Sequence, residues 1–258
     1  FLQEWGIIEL VVLGGGSLNS QQLSRRLDTV ADLICQYGAS DIRLADIGSD
    51  HAYLPCHLAL NHKIQAAVAG EVVKGPYQSA QAEVQSQGLD SIIQVRMGDG
   101  LAVIQADDAI NVISICGMGG SLIRSILDEG QDKLSHGPLL VLQPNIGEAT
   151  LRTWLSQHDY QIVHETIVED SQRLYEIILA QHQPGASELS PRQAYLGPIL
   201  SQIRGPLYKQ KWAREEANLK AIQDQIQAAP QPDQAKLAEI AEKLSWIADS
   251  LSQCQEEE

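Results

Sequence analysis

From Ser20 onward, two hydrophobic periods alternate along the chain. Leu23, Leu27, Val30 and Ile34 recur at helical spacing, which predicts an amphipathic helix beginning at Ser20 with Arg25 and Arg26 on its polar side. Short apolar runs of strand length follow, namely IRLADI, AAVAGE, AINVISIC and PLLVLQP, and another strand precedes MGDGL. Helical stretches are expected at 78–87, 121–128 and 148–157. Runs that are apolar at nearly every position need cover on both faces, so they predict a parallel sheet between two layers of helices. The pattern then changes to YQIVHETIVED and RLYEIILAQ, two strands joined by a polar turn at Ser171 and Gln172. These predict a hairpin closing an otherwise parallel sheet.

Residues 183–190, QPGASELS, interrupt the alternation. Beyond them Leu219, Ile222 and Ile226, and then Leu237, Ile240, Leu244, Ile247 and Leu251, step by three and four on either side of APQPD. That spacing predicts an antiparallel helical hairpin, which must pack on itself, on the sheet or on a second chain. The expected organisation is a leader or expression-derived segment at 1–19, a sheet domain at 20–182 and a helical coiled-coil domain at 183–258. Residues 1–19 lack an initial Met and carry an apolar run too short for a signal peptide with its cleavage site. They end in a linker-like Gly14-Gly15-Gly16-Ser17; an extra strand on the sheet edge is the alternative.

Composition narrows the function. A chain of 258 residues can bury one substantial core and a smaller appendage. No run approaches the ~18 apolar residues of a membrane span, so no membrane partner is expected. Cys35, Cys56, Cys116 and Cys254 are scattered without a C-x-x-C pair, which favours a reducing, cytoplasmic setting. His51, Cys56, His57 and His62 lack a second cluster at ligand spacing, so no metal is expected. The formal net charge is −15, with 22 acidic against 10 basic residues in 1–184 and 11 against 8 thereafter. A polyanion would therefore need a local basic patch. Arg204, Lys209, Lys211, Arg214 and Lys220 lie within 17 residues whose acids are Glu215 and Glu216, with Tyr208 and Trp212 among them. They read either as a phosphate-facing stripe or as a solvated helix face.

In open α/β sheets ligands sit at the carboxyl ends of strands. The loop after the first strand reads Gly48-Ser49-Asp50-His51-Ala52-Tyr53. It lacks two of the three glycines of a dinucleotide fingerprint, and Asp50 would repel a pyrophosphate. An acidic turn instead suits a cationic ligand such as S-adenosylmethionine, with Asp46 and Asp50 toward its ammonium. Glu71, with Val72 beside it, ends the second strand where an acid can accept both ribose hydroxyls. Asp99, flanked by Gly98 and Gly100, ends the third, where a carboxylate can accept from an adenine amino group. Cys116, Gly117, Met118 and Gly119 end the fourth in mostly small residues that leave room for a reacting centre. Each feature has a bland alternative in a cap, a D-G turn or a solvated helix start; their order at successive strand ends is what points to a methyltransferase.

The segments LSRRLDTVADLI, LADIGSDHAYLP, GEVVKGPYQSA, GDGL, ICGMGG and LQPN together resemble the bacterial tRNA (adenine-22-N1)-methyltransferase family, over roughly residues 20–250. The resemblance implies a class I methyltransferase (Rossmann-like) domain with a seven-stranded sheet, S-adenosyl-L-methionine as methyl donor and tRNA as acceptor. It also implies that a C-terminal coiled coil helps to hold the tRNA. The Asn/Asp-Pro-Pro-aromatic motif common in enzymes that methylate the exocyclic amine is absent after the fourth strand, which is compatible with a ring nitrogen. N1 lies on the pairing edge, so the adenine must be turned out. Tyr53, His51, Gln143 and Asn145 are the candidates to receive it, and Asp50 faces either the ammonium or the adenine N6. Arg25 and Arg26 are secondary RNA candidates near this site. The rivals are a methyltransferase acting on another RNA, a protein or a small molecule, and a methyltransferase-like binding module without turnover. The heptad helices can pair within one chain or between chains, with a monomer the expectation.

Overall fold

The computed structural model describes residues 19–253. The leader assigned to 1–19, apart from Asn19, lies outside the described residues, as do its edge-strand alternative and Cys254. The chain runs α1 (Arg25–Tyr37), β1 (Arg43–Ile47), α2 (Tyr53–Leu60), β2 (Ala66–Glu71), α3 (Lys74–Ser86), β3 (Ile93–Met97) and β4 (Val112–Gly119). It continues with α4 (Gly120–Glu129), β5 (Leu139–Ile146), α5 (Glu148–Gln157), β6 (Tyr160–Asp170) and β7 (Arg173–His182). Four helices complete it: α6 (Pro191–Leu196), α7 (Leu200–Ile203), α8 (Pro206–Gln227) and α9 (Gln234–Ser252).

The strands form one seven-stranded sheet ordered β3-β2-β1-β4-β5-β7-β6. β1 to β5 are parallel, and β7 runs antiparallel to both β5 and β6. Successive side chains alternate between two cores. Leu44, Ala69 and Val141 meet α1, α2 and α3 on one face, at Ile34, Leu58 and Val84. Ala45, Val68 and Leu140 meet α4 and α5 on the other, at Ile123, Leu127 and Leu155. This two-sided burial is why the strands read as continuous apolar runs.

Two helix starts and one packing seam differ from the sequence reading: α3, expected at 78–87, begins four residues earlier at Lys74. The first helix starts at Arg25, because Ser24 Oγ caps it by accepting the Leu27 N–H at 3.3 Å. Asn19 instead folds a local turn, its Oδ1 accepting from the Gln21 and Gln22 amides at 2.9 Å each. In the helical pair, Trp212 and Leu219 of α8 pack against Ile240 and Ile247 of α9, with Ile226 at the margin. Ile222 is 42% exposed, so the α8 seam follows residues 212, 219 and 226, two helical turns apart, rather than steps of three and four.

A buried ionic cluster ties the helices after β7 to the sheet. Arg152 on α5 is fully buried; its Nε donates to Glu165 Oε1 of β6 at 2.6 Å and its Nη2 to Glu176 Oε2 of β7. Glu165 Oε2 accepts the Ile199 and Leu200 amides at 2.8 and 3.1 Å, and Arg152 Nη1 donates to the Ala194 carbonyl at 3.1 Å. Lys211 of α8 completes the cluster on Glu176 and, at 3.0 Å, on Glu148. Nearly every charge is paired and hydrogen-bonded, the condition under which charge can be buried.

Candidate active site

Strand order reverses between β1, whose chain leads outward to β2 and β3, and β4, which lies on its other side. Such a switch opens a crevice at the carboxyl ends of the strands. The turn after β1 is left-handed at Gly48 (φ +67°), Asp50 (+36°), His51 (+50°) and Ala52 (+55°). Three non-glycine residues in that region are costly and persist only where surroundings enforce them. The Gly48 and Ser49 amides both donate to the Gly70 carbonyl, at 2.9 and 3.3 Å. The Asp50 amide donates to Glu71 Oε1. Asp46, 4% exposed, accepts Ser49 Oγ at 2.5 Å and Ser114 Oγ of β4 at 2.6 Å, so one carboxylate ties the turn to both central strands. Burial pushes the Asp46 carboxyl above its ordinary range, and the two hydroxyls pull it back.

Glu71 is nearly buried at the end of β2, and burial raises its carboxyl too, against the bond from Asp50. Its carbonyl accepts the Gly98 amide at 2.9 Å, which draws the Gly98-Asp99-Gly100 turn toward the same edge. Asp99 is exposed beside it, and Val72, Val73 and Met97 are 62%, 57% and 52% exposed. Val73 and Met97 were not singled out from the sequence; an apolar residue facing water at a strand end is visible only once burial is known. A side chain at Gly48 would run into the Met118 methyl, so this glycine lets the first turn close on the end of β4. His51 is exposed and stacks on the half-buried Tyr53, ring centroids 5.1 Å apart at 9°. His51 Nε2 lies 3.6 Å from Asp50 Oδ1, whose side chain is 77% exposed. Burial, then Glu83 and Asp50, raise the Tyr53 hydroxyl, which stays protonated at neutral pH.

At the ends of β4 and β5 the structure corrects one candidate. Gln143 is fully buried, and its amide is spent inside the protein. Oε1 accepts Arg26 Nη1 and, at 3.0 Å, the Gly117 amide; Nε2 donates to the Pro144 carbonyl at 2.7 Å and to Asn145 Oδ1 at 3.3 Å. It holds the loop rather than presenting an edge to a base. Asn145 is exposed, and its Nδ2 donates to the Gly117 carbonyl at 2.7 Å across a register shift between Cys116 and Met118. Burial, with Asp46 nearby, pushes the Cys116 thiol up to about 12, so it remains a neutral thiol. Arg26, whose guanidinium also lies 5.4 Å from the Tyr175 ring centre, is a positioned cation at this edge, whereas Arg25 is exposed.

The basic segment does not form one stripe. Lys211 turns inward to Glu148 and Glu176, and Tyr208 and Trp212 are each 2% exposed, so none of the three can meet a phosphate or stack on a base. Arg204 Nη2 donates to Gln253 Oε1 at 2.5 Å, and Lys220 pairs with Glu216 at 2.5 Å. Arg214 is exposed and Lys209 half-buried. At about 100° per residue, positions 209, 214 and 220 also do not share a single face. Among the described residues no group of three or more His, Cys, Asp and Glu is placed to hold a metal ion. His57 is engaged elsewhere, its Nδ1 lying 3.0 Å from the Ser20 carbonyl oxygen.

Carboxylates at three successive strand ends, beside a glycine that admits close approach, suit a ligand with cationic groups and vicinal hydroxyls. With this strand order, they define a class I methyltransferase-like α/β protein. The family model for TrmK, tRNA (adenine(22)-N(1))-methyltransferase, matches residues 44–249, and the chain belongs to that family. It is 40% identical over 238 residues to the tRNA (adenine(22)-N(1))-methyltransferase of Bacillus subtilis, covering 90% of this chain and 98% of that one. It is 39% identical to Streptococcus pneumoniae Sp1610 solved in complex with S-adenosyl-L-methionine, with a TM-score of 0.79 over 88% of this chain and 99% of that one. M. capricolum TrmK, solved with S-adenosyl-homocysteine, is 28% identical with a TM-score of 0.77, over 89% and 98% of the two chains.

Proposed function

We infer that this chain transfers a methyl group from S-adenosylmethionine to N1 of an adenine in tRNA, with nucleotide 22 the target its family indicates. The observation that carries the reading is the interlocked acidic turn, in which Asp46, Ser49, Ser114, Asp50 and Glu71 fix one another around Gly48. Such a turn is held by hydrogen bonds of the protein itself, and an organised site lowers the cost of binding. Glu71 would take the ribose hydroxyls and Asp99 the adenine amino group, with Val72, Val73 and Met97 as apolar flanks. Asp46 would act mainly by holding Ser49 and β4 in place, its buried negative charge favouring a cationic ligand nearby.

S-adenosylmethionine, when bound, supplies an electrophilic methyl on a sulfonium, which the adenine N1 lone pair takes as the carbon–sulfur bond breaks. The lone pair is available at neutral pH, so no base is needed for attack, and alignment supplies much of the rate. Positive charge passes to the adenine ring. Asp50, exposed and beside His51, is the carboxylate disposed to offset it or to draw the extra proton from N6. The His51–Tyr53 stack and Asn145 frame the place for the turned-out base. We place this activity in the cytoplasm and in a monomer.

The test is transfer of labelled methyl to total tRNA, followed by digestion and mass analysis. 1-Methyladenosine at one position supports the reading. Label in N6-methyladenosine, or in protein and not RNA, overturns it in favour of another acceptor. Calorimetry with S-adenosylmethionine on the wild type and Asp46→Ala separates a cofactor turn from a binding module that has lost turnover.

A further inference from the structure

A cleft of about 630 Å³, lined by none of the residues that frame the crevice, lies between α4 and α5 on one side and α6 and α9 on the other. Aromatic rings come from both sides, Trp154 from α5 and His158 just after its end, and Tyr195 and Trp246 from α6 and α9. Trp154 and His158 stack at 4.0 Å and 13°, while Tyr195 and Trp246 lie 5.9 Å apart. Two cations, Arg124 and Lys243, complete the lining; Arg124 is exposed, and Lys243 Nζ lies 5.3 Å from the Tyr195 ring centre. Asp128, the acid in the cleft, is already engaged: it accepts Trp154 Nε1–H at 3.1 Å and lies 3.7 Å from His158 Nε2. Glu239, beside the cleft, is held by Lys236 and Lys243 at 2.8 and 2.6 Å.

Planar rings beside cations, here the exposed Arg124 and a half-buried Lys243 shared with Glu239, are the chemistry of a nucleotide site, in which a base meets aromatic faces and a phosphate meets Arg or Lys. The volume falls in the ordinary range for small-ligand clefts. The position fits RNA rather than a free ligand. α4 follows β4 and α5 follows β5, so both helices start at the crevice edge, and Ala149 and Thr150 in the first turn of α5 already line the cleft. From Gly147 to Thr153 a helix rises only about 9 Å. The end of the cleft at Ala149 and Thr150 is therefore near the crevice edge, where a nucleotide neighbouring the adenine could reach it. The cleft also supplies what α8 does not, since Lys211, Tyr208 and Trp212 are turned into the protein.

We propose that this cleft takes a second, splayed nucleotide of the substrate RNA, its base against Trp246 and Tyr195 and its phosphate on Arg124 and Lys243. The proposal rests on the RNA-methylation reading and deepens it by naming a substrate contact outside the reacting centre.

The experiment compares wild type, Arg124→Gln/Lys243→Gln and Trp246→Leu. The double variant alters an exposed Arg and a Lys that also pairs with Glu239, and melting curves check that each variant folds. The expected result is a KM for tRNA raised about ten-fold in the double variant and at least about five-fold in Trp246→Leu. The kcat at saturating tRNA and the Kd for S-adenosylmethionine stay at wild-type values, which a general structural defect would not achieve. The double variant also lowers the slope of log KM against log salt by about one for each phosphate it no longer neutralises. In parallel, tRNA carrying 4-thiouridine is photocrosslinked to the wild type, and the linked peptides should include Trp246 or Tyr195. Wild-type KM in both variants overturns the proposal. Saturable quenching of tryptophan fluorescence by free AMP with KM unmoved also overturns it, in favour of a small-nucleotide site. If the wild type methylates no tRNA, the functional reading fails, while the crosslink still decides whether RNA occupies the cleft.

Discussion

Replacing Arg152 with Met should be among the most damaging single changes in this chain. The guanidinium is fully buried between Glu165 and Glu176, and Met fills much of its volume while removing its charge and donors. Breaking a buried pair by removing one partner typically costs about 3–5 kcal/mol, because the remaining charge is left uncompensated. Lys211 still neutralises Glu176, and two amides still bind Glu165, which keeps the loss from growing larger. Against a total stability of roughly 5–15 kcal/mol, this lowers the urea midpoint by about a third. The pH dependence gives a sharper test. Burial alone would raise the Glu176 carboxyl, but Arg152 and then Lys211 hold it below the ordinary range. In the wild type this stabilisation is therefore complete above the unfolded carboxylate pKa of ~4.3 and is lost only as pH falls through the depressed value. In the variant burial is opposed by Lys211 alone, the carboxyl moves up, and the penalty eases as acid protonates it. Urea unfolding at pH 8 and pH 5 should thus show a wider gap between wild type and variant at pH 8. A gap below about 1 kcal/mol, or one equal at both pH values, would refute the reasoning.

Three other changes probe the crevice and the helices. Glu71→Gln keeps an acceptor for the Asp50 amide but removes the charge, so the Kd for S-adenosylmethionine should rise about ten-fold in calorimetry; an unchanged Kd removes Glu71 from the ligand set. Gly48→Ala places a side chain at φ +67° against Met118, so it should cost at least about 1 kcal/mol and lower the melting temperature as well as ligand affinity; a wild-type melting curve would contradict the close packing. Lys211→Gln should lower stability by about 1–3 kcal/mol, because it leaves Glu176 with Arg152 as its one cationic partner, whereas Lys220→Gln, an exposed i,i+4 partner, should change it by less than about 0.5 kcal/mol. Equal effects of the two lysines on denaturation would mean that Lys211 is not held as described.

The strands and most helices were legible because their burial is two-sided and periodic. β2 and α5 occupy the ranges their apolar runs predict, and the hairpin turns at Ser171 and Gln172 even though neither is Gly or Asn. Periodicity says less where a side chain can turn either way. Lys211 is indistinguishable in sequence from a solvated helix lysine, and only the approach of β7 and α5 supplies the carboxylates that draw it in. Gln143 is similar: a polar residue at a strand end reads as a ligand contact until Arg26, far away in sequence, takes its oxygen. Asp46, Gly48 and Glu71 could be proposed from the sequence because a strand-end acid and a glycine turn carry their chemistry locally. Ser114, which holds Asp46 from the neighbouring strand, carried no local signal.

The charge distribution then poses a problem that the fold answers by separation. A crevice for a cationic donor and a cationic product gains from acids, yet the substrate is a polyanion, and the chain carries a net −15. Screening at physiological salt acts over about 8 Å, so acids and RNA contacts need only be set apart by a comparable distance. Asp46 and Glu71 are nearly buried at the ends of β1 and β2 and held by bonds from the turn, while Asp50 and Asp99 are exposed at the same edge, facing the crevice side of the sheet. The carboxylates farther out are largely matched: Glu148 by Lys211, Asp128 by Trp154 and His158, and Glu239 by Lys236 and Lys243. Arg26, held by Gln143 with its guanidinium 5.4 Å from the Tyr175 ring centre, is a cation at the edge of the crevice. The acidity of the whole chain is therefore no argument against an RNA substrate; what decides the matter is which carboxylates remain unmatched along the path the RNA takes.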